Sequence, residues 1–91
     1  MESRAFIRHA STLIAKIENN RNQMMNAVEL YTFKETTQKE ISQLFSGLHN
    51  PTLPSAYRLR DVCLRHGYSV DQKVQTNLGK FEHIKFENFS G

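Results

Sequence analysis

Gln38, Lys39, Ser42 and Gln43 are the residues whose types and spacing most suggest a contact surface in this 91-residue chain. On a helix over 37–46, Ile41, Leu44 and Phe45 fall on one side at about 100° per residue. Gln38, Lys39, Ser42, Gln43 and Ser46 fall on the other. Amides and hydroxyls both donate and accept hydrogen bonds, and the single cation adds a charge-assisted one. A face that served solvation alone would carry more Glu and Lys. On residue type alone two alternatives stay open: a solvated face, or a hydrogen-bonding surface for a partner.

Other chemistry is thinly represented. Arg58, Arg60 and Arg65 form a local basic cluster, with Asp61 placed to pair one of them; it is either a solvated face or a phosphate contact. Cys63 and His66 have Cys-x2-His spacing, and His49 and His83 could be imagined as further ligands. A structural zinc site needs two close ligand pairs, and one is present, so no metal is expected. The four glycines are scattered singly, which excludes a phosphate-binding glycine loop. With no nucleophile–base pairing and no carboxylate dyad, the expectation is a protein that is not an enzyme and needs no cofactor.

The elements that must position these residues follow from periodicity. A first helix is expected over 4–19, with Phe6, Ala10, Leu13, Ile14 and Ile17 inward. Residues 19–22, Asn-Asn-Arg-Asn, read as a turn or kink. A second helix over 23–33 carries Met24, Met25, Ala27, Val28, Leu30, Tyr31 and Phe33 almost all round, which suggests burial on most sides, partly by a second subunit. Residues 34–36 break the pattern. Thr37 stands three residues before Glu40, a capping-box spacing that starts a third helix, and Gly47 stops it. Residues 48–52 are a loop, since Asn50 before Pro51 disfavours helix. A fourth helix over 54–66 buries Ala56, Leu59, Val62 and Cys63 and ends at Gly67. Tyr68, Val70 and Val74 then begin a β pattern. Thr76-Asn77-Leu78-Gly79 reads as a hairpin turn, and 81–87 as the return strand with Ile84 and Phe86 on one face. The tail 88–91 is expected to fray. The fold class expected is mainly α with a C-terminal β-hairpin, a single domain over 1–91: helices over 1–34, a helix-turn-helix region over 36–66 and a hairpin over 68–87.

Residues 41–71, ISQLFSGLHNPTLPSAYRLRDVCLRHGYSVD, resemble the second half of the Cro/phage-repressor type of helix-turn-helix, a family that includes many bacterial regulators and antitoxins. The residues that carry the resemblance are Ile41-Ser42, Ser46-Gly47, Asn50-Pro51-Thr52-Leu53 and Gly67-Tyr68. It implies that helix 37–46 reads DNA in the major groove, where Gln can bond adenine bidentately and a helix N-terminus can hold a phosphate. The contacts implied are Thr36, Thr37, Gln38, Lys39, Ser42 and Gln43, with His49 and Asn50 beyond the helix and Arg58 and Arg65 on the next. A winged-helix arrangement is the alternative, with helix 54–66 reading the groove through Arg58 and Arg65 and the 76–80 tip as the wing. The function expected is a small sequence-specific transcriptional regulator, a repressor in the usual family pattern, that binds double-stranded DNA as a homodimer. The alternative is a protein-interaction module, bound to a toxin or another regulator through its N-terminal helices and hairpin.

Composition is compatible with both. The net charge is +3, mildly basic. No run of about 18 apolar residues suggests a membrane span, residues 1–20 lack a signal-peptide core, and Cys63 is the only cysteine. A cytoplasmic protein is expected.

Overall fold

The computed structural model describes residues 3–20 and 24–90, with side chains described through Glu82. Helix α1, Ser3–Glu18, buries Phe6, Ala10, Leu13, Ile14 and Ile17, the five that their spacing predicts. It packs chiefly along α3 and less extensively on α2. Of the turn expected at 19–22, Asn19 and Asn20 are described, and the Asn19 N–H still bonds the Ala15 carbonyl at 3.0 Å. Arg21 and Asn22 lie outside the described residues.

Two expected helices are one. Helix α2 runs unbroken over Ala27–Ser46, and Gln23, where the second helix was expected to start, lies outside the described residues. Asn26 caps the start: its Oδ1 accepts the Glu29 N–H at 2.8 Å. Asn26-x-x-Glu29 has the same form as Thr37-x-x-Glu40, and only the first of them opens a helix. Residues 34–36 contain no glycine or proline to break a helix, and Lys39 lies 3.7 Å from Glu35 one turn away, as in a continuous helix. Thr37 is therefore an interior helical residue, and the expected turn between two helices at 34–36 is not formed. Gly47 ends α2 as predicted, its N–H donating to the Leu44 carbonyl at 3.2 Å and the Leu48 N–H to the Phe45 carbonyl at 3.1 Å.

In the loop that follows, Asn50 Oδ1 accepts both the Thr52 N–H at 3.0 Å and the Thr52 hydroxyl at 2.6 Å, fixing the bend around Pro51. Helix α3, Pro54–Arg65, opens on its proline and buries Ala56, Tyr57, Leu59, Val62 and Cys63. It ends in a Schellman motif. Gly67 takes φ +84°, the Tyr68 N–H reaches back to the Cys63 carbonyl at 2.9 Å, and the Gly67 N–H to Leu64 at 3.2 Å.

The expected C-terminal hairpin is absent: the described residues contain no strand, and residues 72–90 are helix α4, Gln72–Ser90. Asp71 starts it by accepting the Lys73 N–H at 2.8 Å. Val70, Val74 and Leu78 recur every four residues, so what looks like alternation is a helical stripe. Leu78, read as a turn residue, is wholly buried, and Gly79 beside it lies in ordinary helical backbone. Tyr57 clamps the helix, its phenol donating to the Leu78 carbonyl at 2.9 Å in the core. Backbone helix continues through 81–87, where the return strand was expected; the side chains of Ile84 and Phe86, and Gly91 of the tail, lie outside the described residues. The winged-helix alternative loses its wing with the hairpin.

One core joins all four helices. Phe6, Ile17, Ile41, Tyr57, Leu59 and Leu78 are its largest fully buried members, and such a side chain contributes about 1.5–3 kcal/mol when taken out of water. Phe6 and Phe45 meet with ring centroids 6.3 Å apart. Only the C-terminal half of α2 supplies buried residues to this core, namely Thr37, Ile41, Leu44 and Phe45. No helix of the described residues is long and apolar enough to cross a membrane.

Candidate interaction surface

The residues expected to contact DNA separate once α2 is continuous. Thr37 is fully buried, and its hydroxyl has no hydrogen-bond partner. Tyr68 is its polar neighbour, outside hydrogen-bond geometry; burial pushes the Tyr68 phenol above its ordinary range, with Thr37 and Lys16 pulling the other way. Gln38 is spent inside the molecule. Its Nε2 donates to the Ser69 carbonyl and its Oε1 accepts the Ser69 N–H, both at 2.8 Å. That pair of bonds ties α2 to the α3–α4 connection, the bidentate amide geometry once expected to read adenine. The helix N-terminus expected at Thr37 is absent too, so its free amides and partial positive charge are not there to hold a phosphate.

The remaining expected contacts stay accessible but do not form one row. Thr36, Ser42 and Gln43 are exposed on α2, and Lys39 is exposed beside Glu35. His49 and Asn50 are exposed in the 48–53 loop, the Asn50 side chain holding Thr52. Arg58 and Arg65, seven residues apart, are exposed on one face of α3. Arg60 leaves the basic cluster: it is paired with Glu82 at 2.8 Å and Asp61 at 2.9 Å, and stacks over the Tyr57 ring at 5.3 Å. The Glu82 pair holds α3 against α4. Cys63 is buried, its thiol pushed up to about 12 by desolvation, and the described residues contain no group of three His, Cys, Asp or Glu that could hold a metal ion.

A different surface emerges from the same helix. Val28 is 74% exposed and Tyr31 69% exposed, and Met24, two residues before the cap, is fully exposed. Val28 and Tyr31 share a stripe with Glu35, Gln38 and Ser42, by helical spacing, roughly opposite Thr37 and Leu44. The expected burial of this segment therefore does not occur within one chain. Beyond Tyr31 the stripe leads into a cleft of about 580 Å³ between α2 and the α3–α4 connection, with Tyr31, Lys34, Gln38, His66 and Tyr68 among its walls. Reading 28, 31, 35 and 38 as one helical line would have revealed this face; the supposed break at 34–36 hid it.

On the far side of α2 a second groove, of about 550 Å³, runs along α1. Arg8, His9 and Thr12 of α1 line it with Gln43, and Lys16 closes its floor through a 2.9 Å bridge to Glu40. It brings Gln43 beside the α1 cations Arg8 and Lys16, a juxtaposition that the period of either helix alone does not reveal.

The Ser69 tie carries a prediction. Gln38→Ala should destabilise the fold by about 1–2 kcal/mol, the net worth of its two surface hydrogen bonds to the Ser69 backbone. Urea unfolding measures it. A side chain that served only a distant ligand would leave the midpoint unmoved.

Comparison with protein-family models, curated proteins and solved structures finds no match for this chain. The phage-repressor resemblance stands on residues 41–71 alone.

Proposed function

We propose that the protein is a small helical interaction module, which works by docking the outer face of the N-terminal half of α2 against another protein surface. The observation that carries this reading is Val28 and Tyr31, two large apolar side chains left in solvent on one stripe of α2, with Met24 fully exposed just before the helix cap. Scattered apolar residues on a surface are ordinary, but an aligned set beside a cleft marks an interface. Tyr31 suits the centre of such a contact, since it brings apolar area at little entropic cost and a hydroxyl for the rim. A photocrosslinking amino acid at position 31 tests the proposal in the source cells, with position 61, exposed on α3, as control. The result expected is a discrete protein adduct from 31 and none from 61. Equal labelling at both, or none at 31, would overturn it.

A second reading, a DNA-binding regulator, is favoured by one arrangement: Gln43 shares the α1–α2 groove with Arg8, His9 and Thr12. Phosphates would meet Arg8 and Lys39, and Ser42 and Gln43 would supply the hydrogen-bonding groups. Fluorescence anisotropy with duplex from upstream of the protein's own gene, against a scrambled duplex across a salt series, tests it. Sequence-dependent binding lost in Gln43→Ala would support this reading, while equal salt-labile binding to both duplexes would mean only a basic surface.

A further inference from the structure

We infer that the outer face of α4 is a nucleic-acid surface that docks in the major groove of B-form DNA. It lies on a different helix from the α2 face, so this inference and the interaction reading stand or fall separately. At about 100° per residue, Gln72, Lys73, Thr76, Asn77 and Lys80 fall within one arc of about 140°. All five are exposed, and together they line one shallow groove on the outside of the helix. Val74 and Leu78 turn the other way, into the core. Residues 72–80 contain no Asp or Glu, and neither lysine joins an ion pair among the described residues. The flanking acids have partners of their own: Asp71 accepts the Lys73 N–H at the helix start, and Glu82 is held by Arg60 on α3. The arc therefore presents two cations outside any ion pair, set among amides and a hydroxyl.

Charge and composition choose the occupant. The lysines call for an anionic partner. An acidic protein or a membrane surface would be met by aromatic or aliphatic anchors beside the lysines, and this arc has none. Amides, hydroxyls and lysines are the groups that bond base edges and phosphates. A helix with its side chains is about 10–12 Å across, which fits the B-form major groove of about 12 Å but not the deep, narrow groove of duplex RNA. Lys73 and Lys80 stand about 10 Å apart along the axis, the length of about three base pairs, with Thr76 and Asn77 between them. The lysines hold phosphates, and Thr76 and Asn77 face base edges. The α1–α2 groove is the weaker candidate for the same ligand, because Lys16 is already paired with Glu40 there.

Fluorescence anisotropy across a salt series tests the assignment with three probes: a mixed-sequence DNA duplex, an RNA duplex of the same sequence, and poly-glutamate. The DNA duplex should bind most tightly. Lys73→Gln with Lys80→Gln should weaken that binding at least about tenfold in about 0.1 M salt and lower the salt slope by about two. Arg8→Gln with Lys39→Gln removes the same charge at the α1–α2 groove and should leave DNA binding within about twofold of the parent, since salt screens distant charges. All these side chains are exposed, so the melting temperature should hold in both variants. Equal losses from the two variants would make net charge the cause and overturn the α4 assignment. A loss confined to the Arg8 and Lys39 variant would move the contact to the α1–α2 groove and overturn it as well. RNA or poly-glutamate bound as tightly as DNA would overturn groove docking, and no binding to the DNA duplex even at low salt would overturn the inference outright. None of these results bears on crosslinking at position 31, which decides the α2 reading by itself.

Discussion

Leu78→Asn should unfold the protein or lower its stability by about 3–5 kcal/mol, a large fraction of what a domain of this size possesses. The variant separates helix from hairpin by sign. In a hairpin, Asn followed by Gly79 is the favoured two-residue turn, so the substitution would stabilise the C-terminal region. In α4, Leu78 is wholly buried with its carbonyl held by the Tyr57 phenol. There the change removes apolar volume and buries an amide without partners, two penalties that add. Chemical unfolding followed by circular dichroism reads the result. A variant as stable as the parent, or more so, would contradict the packing of α4.

Alkali should destabilise the fold earlier than exposed groups would allow. The Cys63 thiol is pushed up to about 12 by burial, whereas an unfolded thiol titrates near about 8.5. The folded state therefore keeps its proton while the unfolded state releases one. Below about pH 8.5 both states are protonated and the thiol has no effect on pH dependence. Above it, stability falls by up to about 1.4 kcal/mol per pH unit until the folded pKa is reached. Burial raises Tyr57 and Tyr68 as well, so the loss steepens above about pH 10. Between pH 8.5 and 10 the thiol alone accounts for roughly 2 kcal/mol. Thermal melts at intervals over this range, on the protein and on Cys63→Ala, isolate that share: the variant starts lower from its cavity but loses less as pH rises. Parallel curves for the two would show that the thiol is accessible to water.

The sequence made α1 and α3 legible because their apolar residues repeat at one period and their ends carry plain signals, Pro54 and Gly67 at α3 and Gly47 before it. It misled in two places, each for a physical reason. Two equivalent capping patterns, Asn26-x-x-Glu29 and Thr37-x-x-Glu40, compete within α2, and packing rather than local chemistry chooses between them: burial of Thr37 against the core favours a continuous helix. At α4, spacings of two and four are both even, so Tyr68, Val70 and Val74 fit a strand as well as a helix start, and Leu78 decides between them only if it is recognised as core. The site followed the same division. Outward residues such as Ser42, Gln43, Arg58 and Arg65 were visible from period alone. The use of Gln38 was not, because its partner Ser69 lies 31 residues away and its bonds are to backbone. The apolar stripe at Val28 and Tyr31 became visible only when one helix replaced two.

The docking face through Val28 and Tyr31 needs a continuous α2, and backbone carbon-13 chemical shifts measure that continuity directly. The account predicts uniformly helical Cα shifts from Ala27 through Ser46, with no interruption at Lys34, Glu35 or Thr36. A return to coil values at those three residues, with helix resuming at Thr37, would contradict it. That result would restore a capped helix start at Thr37 and break the stripe that joins Val28 and Tyr31 to the cleft at Gln38.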